Sequence, residues 1–219
     1  MTVHQTYITP SLQRSGLLAA LTLALLVAGC AALPTPPAPS AGSASIVRTY
    51  QPSIRFSGRL SLRYQHNNAE QAVYGGFLWN QTPQHTSLTM LSPLGQTVAA
   101  IDITPDQATL TQSGKAPRYA ADADSLMEQT LGWPLPIAGL GRWLQGTGTD
   151  QRGQSFSVPA AAESSAVTTA DGWHIVYGAW QNPETPGEPN YPRRIDLTRT
   201  TQQAGEVTIR LVLDSAQTP

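Results

Sequence analysis

The sequence predicts a mainly β domain: a curved antiparallel sheet or barrel with a helical insert covering a hydrophobic interior. Three observations carry that prediction. Residues 54–64 alternate apolar and polar almost without fault, the period of two that marks a strand with one wet face. Short β-type runs separated by turn signals recur on both sides of the chain's middle, as antiparallel hairpins do. Two helical stretches interrupt the series, and a mostly apolar helix in an all-β chain needs a sheet to hide against.

In IRFSGRLSLRY (54–64), Ile54, Phe56, Leu60, Leu62 and Tyr64 take one side, and Arg55, Ser57, Arg59, Ser61 and Arg63 the other. His66-Asn67-Asn68 turns the chain. Val73, Phe77 and Trp79 carry the next strand, where Gly75-Gly76 suggests a bulge or bend. Further strands are predicted at 87–91, 98–104 and 107–111, and late ones at 164–169, 173–180, 194–198 and 207–213. Ser92-Pro93-Leu94-Gly95 is a turn, with proline at the second position and a glycine able to take positive φ. Leu94 would sit at its tip, either folded back onto the sheet or projecting from it.

Asp122 or Asp124 caps a helix over Ser125–Leu131, and Gly132 stops it. Trp133-Pro134-Leu135-Pro136 then leads into a second helix over Ile137–Gly146, with Leu140, Trp143 and Leu144 at helical spacing. A large curved sheet under such a lid tends to leave an apolar cavity, the usual form of a ligand site. Phe77, Trp79, Met90, Leu140 and Trp143 are the candidates to line it.

The N-terminus has a different logic. Arg14 precedes the apolar run Leu17–Ala28, and Val27-Ala28-Gly29-Cys30 follows the order of a bacterial lipobox. This is the layout of a secretory signal, and the run is too short to span a bilayer, which takes roughly 20 residues. Cys30 is the only cysteine in the chain, so it cannot form an internal disulfide. A lipobox makes it the site of acylation; an ordinary cleavable signal beside a buried cysteine is the other reading. The stretch after it, rich in Pro, Ala and Ser, reads as a tether. The expected organisation is a signal over 1–29, a lipid-anchored tether over 30–48 and one folded domain over 49–219. Ala31 after the cysteine, where an aspartate favours inner-membrane retention in well-studied envelopes, points to the outer membrane.

Net charge is −1 and only 12% of residues are charged, which gives no basic surface for nucleic acid. All the basic residues but Lys115 are arginine. Catalytic signatures are missing: the chain has no G-x-S-x-G, H-E-x-x-H, P-loop or dinucleotide fingerprint. His4, His66, His85 and His174 lack metal-ligand spacing. Asp122, Asp124 and Glu128 are explained by helix capping and dipole complementarity. Neither an enzyme, a metal site nor a cofactor is expected.

Motifs in order through the domain resemble the outer-membrane lipoprotein receptor family LolB. They are Phe56-Ser57-Gly58-Arg59-Leu60, Gly76-Phe77-Leu78-Trp79-Asn80-Gln81, Leu91-Ser92-Pro93-Leu94-Gly95-Gln96-Thr97 and Leu131-Gly132-Trp133-Pro134-Leu135-Pro136. Leu140-Gly141-Arg142-Trp143-Leu144-Gln145-Gly146, Gly172-Trp173-His174-Ile175-Val176-Tyr177 and Tyr191-Pro192-Arg193-Arg194-Ile195-Asp196-Leu197 continue the match. Leu213-Asp214-Ser215 departs from it, lacking a tryptophan common in the last strand. The resemblance implies an unclosed antiparallel β-barrel with helices over its hydrophobic interior. It further implies a monomer that accepts acylated lipoprotein cargo from a LolA-like periplasmic carrier and places it in outer-membrane lipid, itself anchored there and facing the periplasm. For Leu94 it implies a residue that projects from the body and acts in membrane insertion of cargo. A generic lipid-binding envelope lipoprotein and a structural scaffold lipoprotein are the alternatives.

Overall fold

The structure, a computed structural model, describes residues 49–159, 164–181 and 189–218. Strands β1 (Ile54–His66) and β2 (Ala69–Gln81) form a long hairpin closed by Asn67 and Asn68 at positive φ, the turn conformation that asparagine tolerates best. β3 (Thr86–Leu91), β4 (Thr97–Ile103), β5 (Ala108–Gln112) and β6 (Arg118–Ala120) add outward in sequence order. The chain then leaves the sheet for helices α1 (Ala123–Leu131) and α2 (Ile137–Trp143) and a small hairpin, β7 (Thr147–Thr149) with β8 (Ser155–Ser157). It returns as β9 (Ser164–Thr168), β10 (His174–Gln181), β11 (Tyr191–Thr201) and β12 (Gly205–Gln217).

β12 pairs with β1, so the first and last strands meet at the centre of one ten-stranded antiparallel sheet. Its edges are β6 and β9, and the helical insert is the segment that passes between those edges. The curved sheet is therefore unclosed, as the resemblance implies. The alternation read from β1 holds: Ile54, Phe56 and Leu62 are buried, while Arg55, Arg59 and Arg63 are exposed. On the convex face Arg59 pairs with Asp214 at 3.0 Å, and Arg194 and Arg210 share the Asp196 carboxylate. Exposed pairs of this kind add little to stability.

The glycines of β2 do not make the expected bulge. β1 and β2 pair without a register shift from Ile54↔Gln81 to His66↔Ala69. The shifts fall instead at Ser57/Gly58 against β12 and at Met90/Leu91 against β4. A Cβ on Gly75 would lie 2.1 Å from the Leu91 carbonyl oxygen, so glycine lets the end of β3 approach the β2 backbone. A further irregularity re-aims a side chain. Ala179 takes φ 54° between the Gly178↔Arg194 and Trp180↔Pro192 pairs, with no shift of the β10–β11 register; the left-handed backbone there, not an added residue, accompanies the stacking of Trp180 on the Tyr177 ring at 6.0 Å.

α1 is capped by Asp122 rather than Asp124: its carboxylate accepts the Ser125 backbone N–H at 2.7 Å and the Ser125 hydroxyl at 2.9 Å. Those bonds hold the Asp122 carboxyl below its usual range. Gly132, at φ 82°, closes the helix with its N–H on the Glu128 carbonyl. α2 ends at Trp143, three residues before the predicted end, and residues 144–146 continue as turn. The strands β6, β7 and β8 have no counterpart in the sequence reading.

Candidate functional site

Between the concave face of the sheet and the two helices lies an apolar cavity of about 180 Å³. Its sheet wall includes Leu60, Leu62, Leu88, Met90 and Ile101, with Leu211 from β12. Strand parity explains the set: Leu60 and Leu62 share one face of β1, where Leu62 pairs with Val73 of β2, and Leu88 and Met90 share the same face of β3, where they pair with Ile101 and Ala99 of β4. Its roof includes Met127 and Leu131 from α1, Leu135 from the connecting loop, and Ile137 and Leu140 from α2. Gln112 and Thr130 are the polar members of the lining, and the Thr130 hydroxyl has no hydrogen-bond partner among the described residues. Such a lining can hold hydrocarbon and little else.

Of the five candidates for the cavity wall, Met90 and Leu140 line it. The other three are buried elsewhere in the interior. Phe77 pairs with Gly58 and covers it, its ring 2.8 Å from where a Cβ would stand. Trp79 donates its indole N–H to Gln81 at 3.2 Å under α2. Trp143 packs on Trp173 at 6.5 Å between ring centroids. Strand parity for Phe77 and Trp79, and helical spacing for Trp143, located all three as interior residues, but neither says where packing leaves a gap. Leu60, Leu62, Leu88, Ile101 and Leu211 carry the same signal and are wall residues it left unnamed.

The insert is held to the sheet by a polar seam at one end. The Gln51 backbone N–H donates to the Gln145 side chain at 2.7 Å, and the Gln145 amide donates back to the Gln51 and Gly141 carbonyls at 3.1 Å. The Gln81 amide donates to the Tyr50 hydroxyl, and Arg142 lies over the Tyr50 ring at 4.9 Å. Asp124 joins the helices, its carboxylate accepting the Ala138 N–H at 3.5 Å. Burial pushes its carboxyl above the usual range.

Leu94 stands at the tip of the β3–β4 turn and is 87% exposed. The turn is tight: Gly95 N–H donates to the Ser92 carbonyl at 2.8 Å, Ser92 N–H to the Gln96 carbonyl at 2.8 Å, and Gly95 takes φ 81°. Of the two readings left open by the sequence, the projecting one describes the geometry. Cys30 lies outside the described residues. Among the described residues no group of three or more His, Cys, Asp or Glu side chains is placed to hold a metal, and no helix is long and apolar enough to cross a membrane.

Residues 52–215 match the family described as outer membrane lipoprotein LolB. The chain belongs to the LolB family. Proteins named outer-membrane lipoprotein LolB are similar to it along most of its length. The one from Cupriavidus pinatubonensis is 37% identical over 216 residues, covering 96% of this chain and all of the relative. That from Cupriavidus taiwanensis is 38% identical over 170 residues, 76% of this chain and 82% of the relative. That from Chromobacterium violaceum is 31% identical over 202 residues, 90% and 96%. Among solved structures, a LolA superfamily protein from Nitrosomonas europaea shares 11% identity with a TM-score of 0.44, over 79% of this chain and 89% of that one. The matched LolB region contains both the cavity and the Leu94 turn, since every wall residue named above falls between 52 and 215.

Proposed function

We propose that this LolB-family chain is the outer-membrane receptor of lipoprotein localisation. It takes acylated lipoproteins from a LolA-like periplasmic carrier, holds their chains in the interior beneath α1 and α2, and releases them into outer-membrane lipid. One observation carries the reading: the apolar cavity beneath the helical insert, whose lining has almost no hydrogen-bonding capacity. The hand-over has no covalent step, so its direction follows from differential affinity for the chains. Passing hydrocarbon from one sheltered site to another avoids exposing it to water.

In this reading Cys30 is acylated after removal of residues 1–29, residues 30–48 tether the domain to the outer membrane, and the receptor works as a periplasm-facing monomer. Met90 and Leu140 contact the chains directly, while Phe77, Trp79 and Trp143 support the walls. Leu94 enters the bilayer as cargo leaves. The cavity's size adds a requirement. An apolar cavity of about 150 Å³ admits a molecule the size of benzene, so the 180 Å³ present here takes only part of one chain. Loading therefore lifts α1 and α2 from the sheet, enlarging the space along the wall formed by β1 to β5.

The test is direct transfer. A labelled acylated lipoprotein on the carrier is mixed with this protein, then with liposomes, and its location is followed at each stage. Movement from carrier to receptor to liposome supports the reading. Failure to accept cargo, or co-purification of free lipid in its place, would assign the cavity another ligand.

A further inference from the structure

We propose that Val73, Tyr74 and Val98 form, with Leu94 at the tip, a bilayer-docking rim that seats the mouth of the cavity on the phospholipid surface. This deepens the delivery reading above and rests on it. Large apolar side chains are exposed at six described positions: Val73, Tyr74, Leu78, Leu94, Val98 and Tyr119. Four of them lie together. Leu91, the last residue of β3, pairs with Gly76, so residues 73–75 of β2 run on beside the 92–96 turn, and Tyr74 and Pro93 line one shallow cleft there. Val98 lies where β4 returns from that turn. Its carbonyl accepts the Ser113 N–H at 3.3 Å, which brings the next turn, with Lys115, alongside.

Val73 links this rim to the interior, because it is 41% exposed and also lines the cavity. A chain leaving the cavity past Val73 emerges on the rim. The chemistry around it is interfacial: Arg63 donates to the Tyr74 hydroxyl at 3.3 Å, leaving the ring apolar on one end and wet on the other. Arg63 and Lys115 are placed at headgroup level, and Glu70, which acts on the same guanidinium, leaves the set with one net positive charge. Apolar contact, with a slight preference for anionic lipid, thus sets the docking. A single leucine projecting from a tight turn suits a deformable phase, whereas a protein partner would need a matching pit for it.

The test uses the full acylated chain in phosphatidylethanolamine–phosphatidylglycerol vesicles. Nitroxide labels are placed singly through Val98→Cys, Tyr74→Cys and Leu94→Cys, with Leu78→Cys and Tyr119→Cys as exposed controls; Cys30 is consumed by lipid. We expect labels at 74, 94 and 98 to collide preferentially with oxygen over a water-soluble relaxant, by about threefold or more relative to the controls. Water-like behaviour at 74 and 98 with a lipid-like signal at 94 would overturn the rim and leave the delivery reading standing. Water-like behaviour at 94 as well would sink both. Protection of 74 and 98 only after a carrier is added would make the rim a protein interface and likewise overturn the proposal.

Discussion

A Cβ on Gly141 would stand 2.4 Å from the side-chain oxygen of Gln81 and 3.2 Å from the Trp79 ring. α2 therefore lies directly on the end of β2, and glycine is what permits it. Gln81 cannot step aside freely, since its side chain joins Trp79 and Tyr50 and is buried. Alanine would gain about 1 kcal/mol of helix propensity. Against that it would displace the Gln81 amide and leave the Trp79 N–H unpaired in the interior, a cost of about 1–3 kcal/mol with the lost bonds in addition. We expect Gly141→Ala to be destabilising by about 1–2 kcal/mol in urea unfolding, the balance of those terms. A stabilised variant would mean that α2 does not sit this close.

Ala99 offers the opposite experiment. It faces the cavity between Met90 and Gln112, so a larger apolar side chain there fills space rather than breaking contacts. Ala99→Leu should leave stability unchanged or raise it by about 0.5–2 kcal/mol, as cavity filling commonly does. Cargo acceptance should fall because the chains lose volume. Phe77→Ala is the contrast: it lies off the cavity and should destabilise by about 3–5 kcal/mol, with acceptance lost only through unfolding. Equal acceptance by Ala99→Leu and the parent would place the chains elsewhere.

Asp124 gives a pH signature at the joint between the helices. Its carboxyl is raised in the folded state, chiefly by burial and only partly relieved by the Ala138 N–H. A raised acid binds its proton more tightly folded than unfolded. The folded state is therefore favoured at low pH, and that advantage is lost as pH climbs from the unfolded value through the folded one. Asp124→Asn keeps an oxygen for the Ala138 N–H and removes the charge. It should equal the parent below that window and be the more stable of the two above it. Thermal melts at pH 3 to 7, run as matched pairs, check this; a variant less stable at neutral pH would show that the charge itself holds α2.

Cys30→Ala should abolish acylation and leave an unprocessed precursor, read by mass spectrometry and membrane fractionation. The cavity is lined by residues between Leu60 and Leu211. The same domain exported behind a different cleavable signal should therefore still accept cargo. Loss of acceptance in that folded soluble form would make the anchor part of the binding site.

Much of this architecture was legible from alternation alone. β1 could be read because it buries Ile54, Phe56 and Leu62 on one face and wets its arginines on the other, whereas β2 alternates only in its second half, where Phe77 and Trp79 are buried, and exposes both Val73 and Tyr74 nearer its start. β6, β7 and β8 could not, because three-residue strands such as Thr147-Gly148-Thr149 carry no period. β7 and β8 pair across the Asp150–Gly153 turn, where the Asp150 carboxylate accepts from Arg152 and Gln154 N–H groups, and β6 is an edge strand held by β5. The cavity wall was half legible. Sequence parity points Trp79 and Met90 to the same interior, but Gly141 lets α2 close down over Trp79 while Met90 is left facing open space. That difference is a property of three elements meeting, and no single strand encodes it.

If Leu94 acts as proposed, a substitution there should isolate delivery from every other step. At 87% exposure its side chain supports no packing, so Leu94→Glu should change stability by no more than about 0.5 kcal/mol. Uptake from the carrier should stay near the parent level, because the cavity wall is untouched. Delivery should slow. Burying a leucine in hydrocarbon contributes about 1.5–3 kcal/mol, and a glutamate at the tip forfeits it and adds the cost of bringing a charge to the acyl boundary. Expressed in the barrier, that loss is roughly ten- to a hundredfold in rate, with cargo accumulating on the receptor. The two steps are measured separately, acceptance by transfer from the carrier and delivery by recovery in liposomes. A joint fall in both would make Leu94 a part of the cavity machinery, and no fall in either would leave the 92–96 segment as a turn and nothing more.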